Sequence, residues 1–237
     1  MSLGISEQQK ENYNGFINLR RITNIYSNWL NRSDLSTEIT GDFIVLTEKD
    51  INSKLRIRKM ISETSITIDA ETEDLPTGFL QVRDFFITEG GTKHSLTYMT
   101  PVQMDQIKGS STSGMPEVYT ILGDKFRFAP IPSASYAGTL NFYKAFDPLS
   151  DSNTSNFILA SHPAIYLYGS LYHAANFLGG VEPARLAQWQ GMYTTALERL
   201  ERNDREDQYS GSPLQIRSDV TVSAPFSDHT KVTNNNT

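Results

Sequence analysis

The chain has 237 residues, 38% of them apolar, with a formal net charge of −6 and no cysteine. That length holds one large or two small domains, and the lack of cysteine excludes a disulfide framework, a thiolate zinc site and a cysteine nucleophile. The acidic balance, with no long basic tract, argues against a tight nucleic-acid binder, whose affinity comes mostly from neutralising phosphates, though not against a conduit past which DNA slides.

In chain order, Ser6 and Gln9 have capping-box spacing. Tyr13, Phe16, Ile17, Ile22, Ile25, Tyr26 and Trp29 then recur at three- and four-residue steps, predicting an amphipathic helix to about Asn31. A second helix follows Gly41, with Ile44, Ile51 and Leu55 on one side and Glu48 and Asp50 near its start. Lys54, Arg56, Arg58 and Lys59 crowd its end, where cations suit the helix dipole.

Near Met60 the period changes to two. Thr64, Ile66 and Ile68 alternate with polar residues, DLPTGFL interrupts, and QVRDFFIT, HSLTYM, EVYTIL, FRFAPIP and GTLNFYKA read as further strands. Gly123 and Asp124 place a tight turn between EVYTIL and FRFAPIP. A short helix at PVQMDQIKG and a flexible SSTSG stretch lie between strands, and the acidic run DAETED (69–74) reads as a solvated loop.

After the polar loop DPLSDSNTSN, Pro163 opens a helix, its missing amide costing nothing in the first turn. Ile165, Tyr168, Leu171, Tyr172, Ala175 and Leu178 form its apolar stripe. Gly169, Ala174 and Ala175 allow close approach of a neighbouring helix, and Gly179 and Gly180 end it. Pro183 restarts the helix, and Leu186, Trp189, Tyr193, Ala196, Leu197 and Leu200 repeat the stripe, giving an antiparallel helical hairpin. Beyond Arg205 the core signal fades. Ile216, Val220, Val222 and Ala224 fall on a period of two with no obvious partner in their own domain, which fits either a frayed terminus or an arm adding a strand to another subunit's sheet edge.

The expected fold is thus α+β: an antiparallel helical bundle with an inserted antiparallel β domain and an extended C-terminal arm. The expected boundaries are 5–59 for the first bundle helices, 60–146 for the β domain, 147–205 for the loop and closing hairpin, and 206–237 for the arm.

Chemistry is sparse. His162 reads as a helix-start residue and His173 as the flank of its helix. Neither stands in a nucleophile setting, and no G-x-S-x-G elbow occurs. His94 and His229 sit in loop and tail positions. The two helix histidines lack the spacing of a zinc helix, DSNTSN lacks the glycine and glutamate of a calcium loop, and no phosphate-cradling glycine motif occurs. No catalytic residue, metal site or cofactor is expected. No apolar run approaches the ~20 residues of a bilayer span, and MSLGISEQQK lacks the order of a secretory signal, so the expectation is a soluble intracellular product with no membrane partner.

The series LPTGFL (75–80), LTYMTPVQ (96–103), PEVYTILGDKFRFAPIP (116–132), LNFYKAFDPLSDSNTSNFIL (140–159) and HPAIYLYGSLYHAANFL (162–178) resembles the head-to-tail adaptor, or head completion, proteins of tailed bacteriophages, of the short-tailed type. The likeness runs from roughly Ile44 to Leu200. It implies a non-enzymatic virion protein of the neck: a homo-oligomeric ring, expected to hold twelve copies, beneath the portal protein. Such a ring extends the DNA channel, lets DNA pass without specific binding, and gives the tail nozzle protein its docking place.

On this reading Leu214, Ile216, Val220, Val222, Pro225 and Phe226 form the arm that binds the portal or a neighbouring subunit. Tyr168, Gly169, Leu171, Tyr172, Ala175, Trp189 and Tyr193 serve bundle packing or subunit contact. A phage-encoded carbohydrate-binding module or small hydrolase is the alternative, favoured if exposed aromatics were found beside paired carboxylates.

Overall fold

The computed structural model describes residues 18–30, 34, 39–108, 113–179 and 181–209. Among the described residues are six α-helices and ten strands. Helix α1 spans Leu19–Leu30. Asn18 caps it by accepting from the Arg21 amide at 2.9 Å, and Ile22 and Tyr26 are buried. The expected start at Ser6, with Gln9, Tyr13, Phe16 and Ile17, lies outside the described residues. Trp29, assigned to the buried stripe, is 49% exposed and meets the Tyr168 ring edge-on.

A π-helical turn, Ile39–Phe43, leads into α2, Ile44–Lys54. Ile44, Ile51 and Leu55 are fully buried, as their spacing predicts. Of the basic cluster, Arg56 meets the helix end, its guanidinium donating to the carbonyls of Asn52 at 2.7 Å and Leu55 at 2.6 Å, while Lys54 pairs with Asp50 and Arg58 with Asp204. The helix stops at Lys54, short of residue 59, and a 3-10 turn at Arg58–Met60 carries the chain into the sheets.

The β segment is more divided than one antiparallel unit. Strands β1 (Ile61–Ile68), β2 (Thr72–Asp74), β3 (Phe79–Glu89), β4 (Thr92–Ser95) and β5 (Thr97–Tyr98) precede helix α3 (Pro101–Lys108). Strands β6 (Ser113–Gly114), β7 (Val118–Leu122), β8 (Lys125–Ala129), β9 (Ile131–Pro132) and β10 (Tyr136–Lys144) follow it. They form two four-stranded sheets, ordered β1-β10-β3-β4 and β2-β8-β7-β5, and a two-stranded β6-β9 pair.

The long pairings are antiparallel, but β5 runs parallel to β7 and β6 parallel to β9, correcting the all-antiparallel expectation. The cause is a crossing at Leu96. Its amide bonds Phe85 of the first sheet, while the next amide, Thr97, bonds Glu117 beside the second. HSLTYM is therefore two short strands. DAETED is also corrected, since its second half is β2, paired with β8 through Thr72↔Arg127 and Asp74↔Lys125. Of the SSTSG stretch, 110–112 lies outside the described residues and Ser113–Gly114 is β6.

The EVYTIL–FRFAPIP hairpin is present as β7 and β8, with Gly123 at φ 66° in the turn. Helix α3 opens on a capping box in which the Thr100 amide donates to Gln103 Oε1 at 3.0 Å and the Gln103 amide to Thr100 Oγ1 at 3.4 Å.

Helix α4, Phe157–Ser161, was not foreseen within the loop-to-helix passage. Helix α5, Pro163–Leu178, begins at the proline as expected and ends at Gly179. Helix α6, Pro183–Tyr209, runs past the expected end at Arg205, so residues 206–209 are helix rather than arm. The remaining arm residues, Leu214 to Phe226 among them, lie outside the described residues.

The buried side chains fall into two clusters. One joins residues of α1, α2, α4, α5 and α6 with Phe146 and Leu149. The other lies in the sheets around Phe85, Phe126, Phe128, Leu140 and Phe142. The end of β10 links them, with Phe142 of the strand in the sheet core and Phe146, two residues beyond it, in the helical one, where it meets Phe157 edge-on.

Candidate interaction surfaces

Helix α5 is the axis on which the helical part is assembled. Its short side chains let other elements close in. A Cβ on Gly169 would lie 2.6 Å from Thr47 Cγ2 on α2 and 3.0 Å from Tyr193 Cε2 on α6, so only glycine admits both. Thr47 Oγ1 donates to the Phe43 carbonyl at 2.8 Å and sits 3.1 Å from Ser170 Oγ.

A polar network lies beside this contact. Glu48 is 3% exposed, and its Oε1 accepts from the Leu149 amide at 2.8 Å and the Tyr166 hydroxyl at 2.9 Å. The Tyr166 hydroxyl accepts in turn from Asn156 Nδ2 at 2.6 Å. The Tyr26 hydroxyl donates to the Tyr166 carbonyl, and Asn156 Oδ1 caps α4 through the Leu159 amide at 3.0 Å. Burial pushes the Glu48 carboxyl above its ordinary value, opposed by its bonds from Leu149 and Tyr166. The Glu48 carboxylate thus joins α2 to α5 and to the 147–156 loop, and Tyr166 and Asn156 extend the network to α1 and α4. Tyr193 makes a second tie, its hydroxyl donating to Asp50 Oδ2 at 2.7 Å.

Glu48, Tyr166 and Asn156 escaped the sequence reading, which took Glu48 for a helix-start acid and left Tyr166 out of the α5 stripe. One signal was available. Positions 44, 48, 51 and 55 share one helical face, and three of them are fully buried isoleucine or leucine, so the fourth had to face the core as well.

The packing residues assigned from sequence fall into two groups. Leu171, Ala175, Trp189 and Tyr193 are buried within the chain, as is Gly169, whereas Tyr168 and Tyr172 keep part of their surface. Large apolar side chains that remain exposed are Trp29, Leu46, Phe177 and Met192 on the helices and Tyr98, Val102 and Leu122 on the β part. Leu46 and Phe177 line an open groove of about 550 Å³ with Lys49 and His173.

The histidines take structural positions. His162 ends α4 immediately before Pro163, with Nε2 3.4 Å from Asn203 Nδ2 on α6. His173 lies edge-on to Tyr172. Burial lowers the pKa of both; Lys59 and Arg199 add to this at His162 and Lys54 at His173, where Asp50 opposes it. His94 is in β4, and His229 lies outside the described residues. No helix among the described residues is long and apolar enough to cross a membrane.

Where α6 passes the helix–sheet junction, Asp204 accepts from the Arg58 amide at 3.3 and 3.2 Å and from its guanidinium Nε at 3.2 Å. Asp207 lies 3.9 Å from the same guanidinium. On the β face, Arg127 bridges Glu71 at 2.9 Å and Asp105 at 3.1 Å, and Lys125 meets Asp74 at 2.6 Å. These pairs tie the DAETED run to β8 and α3.

Residues 18–217 match the family described as SU10 adaptor protein. No curated protein matches the chain. The match begins at the cap of α1 and continues eight residues beyond α6, covering Leu214 and Ile216, so it is longer at both ends than the motif series that first suggested it.

Proposed function

The chain belongs to the SU10 adaptor protein family, phage structural adaptors of the head–tail junction, and on that premise we propose that it assembles as a ring beneath the portal in the neck of a short-tailed virion. Twelve copies would match a portal of that symmetry, extend its DNA channel and present the docking face for the tail nozzle. The described helices of 18–59 and 147–209 form the bundle whose outer surfaces make subunit contacts. The β part, 60–146, projects towards the tail, and the segment after Tyr209 carries the arm that engages the portal.

The family match over 18–217 carries this reading. Two further features support it. Most of the packing residues are consumed inside the chain, so contacts between copies fall to what stays exposed, namely Trp29 with Tyr168, Leu46 with Phe177, and Met192. The chain's net charge of −6 suits a lumen that offers DNA phosphates few attractive stops.

The arm is tested by removing residues 211–237. The truncated chain keeps its fold and fails to co-sediment with portal. Full-strength binding by the truncation refutes a portal-engaging arm.

A further inference from the structure

The four outer strands of the two larger sheets are unequal. Strand β2 has three residues, β4 four and β5 two, while β1 has eight. Strand β1 pairs with β10 alone, from Ile61↔Tyr143 to Ile68↔Tyr136 without a register break. Apart from the Ile61 amide, which closes the preceding 3-10 turn on the Arg58 carbonyl, no other backbone hydrogen bond among the described residues reaches it.

An edge strand leaves every second residue's N–H and C=O unpaired, and proteins protect such edges by keeping them short or by adding lysine, proline or bulges. Strand β1 has none of these devices, and Glu63 is its only charge. Its polar positions Glu63, Ser65 and Thr67 face solvent, and the core-side Ile66 is only half-buried. A further strand with one apolar face would cover that flank and take up the free backbone groups.

The sequence contains such a segment, and the length of chain that leads to it can span the distance to this edge. Leu214, Ile216, Val220, Val222 and Ala224 alternate with Gln215, Arg217, Asp219, Thr221 and Ser223, Ser218 being the one polar residue on the apolar side. Asp204 is fastened to Arg58, three residues before β1. From there five helical residues advance roughly 8 Å to Tyr209, and the chain to Leu214 then spans up to roughly 17 Å. The Ile61 end of β1 is therefore within reach of Leu214 in the same subunit. We propose that the free edge of β1 is the docking site of Leu214–Ala224 of the same chain, which adds a fifth strand to the β1-β10-β3-β4 sheet before the particle assembles. An arm held there is shielded from premature pairing with other copies. The proposal concerns the purified chain and stands or falls independently of portal binding.

The lack of native cysteine allows a clean disulfide test on the full-length chain. Ser65→Cys is combined in turn with a single cysteine at each position from 215 to 222, and the dilute protein is oxidised and run without reductant. The expected result is an intramolecular bond at one or two odd-numbered positions, formed at least ten-fold faster than at the even-numbered ones, whose side chains face the core.

Equal rates at odd and even positions, or no bond at all, overturn the proposal. Bonds found only in dimers also overturn it, by assigning the edge to another copy's arm. Independently, hydrogen exchange at alternate amides of Ile61–Ile68 should be about ten-fold slower in the full chain than after deletion of 211–237. Equal exchange in the two refutes it.

Discussion

Replacing Glu48 tests whether the helical part is held together at one buried carboxylate. In Glu48→Ala the Leu149 amide and the Tyr166 hydroxyl both lose their acceptor. A stranded buried donor costs about 1–3 kcal/mol. Removing a desolvated carboxyl returns part of that loss, so the net destabilisation should be about 3 kcal/mol. For a chain of this size that is a fall in Tm of about 6–12 °C.

Glu48→Gln keeps an oxygen at the Oε1 position and should lie within about 1 kcal/mol of the parent at neutral pH. The pH dependence has a definite sign. Because burial raises the folded-state pKa above the ordinary 4.5, the stabilisation from the protonated carboxyl is complete below that ordinary value. It is lost as pH rises through the raised one. Glu48→Gln therefore gains on the parent across this window. Urea titration of the three proteins from pH 4 to 8 is the assay. An alanine variant within about 0.5 kcal/mol of the parent, or a glutamine variant as damaged as alanine, refutes the network's role.

Gly169→Ala should destabilise by about 1–3 kcal/mol through overpacking, despite the roughly 1 kcal/mol that alanine gains in a helix. Adding Thr47→Ser, which removes the clashing Cγ2 and keeps the hydroxyl, should recover part of the loss; thermal melts of the single and double variants decide. Asp204→Asn should change global stability by less than about 1 kcal/mol, since Arg58 is half-exposed, yet speed hydrogen exchange over 202–209, and unchanged exchange there would remove the clamp. His162 and His173 have lowered pKa values, so their contribution is present above the ordinary 6.5 and lost as pH falls through the depressed values. A His162→Gln, His173→Gln double variant should accordingly flatten the acid side of the stability profile, and an unaltered slope contradicts this.

Local patterns carried much of the fold. The β7–β8 hairpin is visible as two alternating runs around Gly123, and α5 and α6 as 3.6-residue stripes opened by Pro163 and Pro183. What the sequence hid depends on partners distant in the chain. Strand β2 reads as a solvated acidic run because its pairing surface is supplied by Lys125 and Arg127 some fifty residues on. Helix α4 has five residues, too few to show a period, and exists because Asn156 caps it and the helical core covers Ile158 and Leu159. The parallel β5–β7 and β6–β9 pairs arise where the chain passes between sheets.

The interaction surfaces were less legible. A residue's membership of an apolar stripe does not say whether its own chain or another copy covers it, and Gly169, Trp189 and Tyr193 prove to be covered from within. Glu48 and Tyr166 looked like ordinary helix residues because a single sequence does not display the acceptor each one finds across the core.

Electron cryo-microscopy of the chain mixed with its portal tests the adaptor assignment most directly. The account predicts closed rings of this chain seated on the tail-facing side of the portal and coaxial with its channel. Free portal beside unassembled chain, or density for this protein away from that axis, would contradict it.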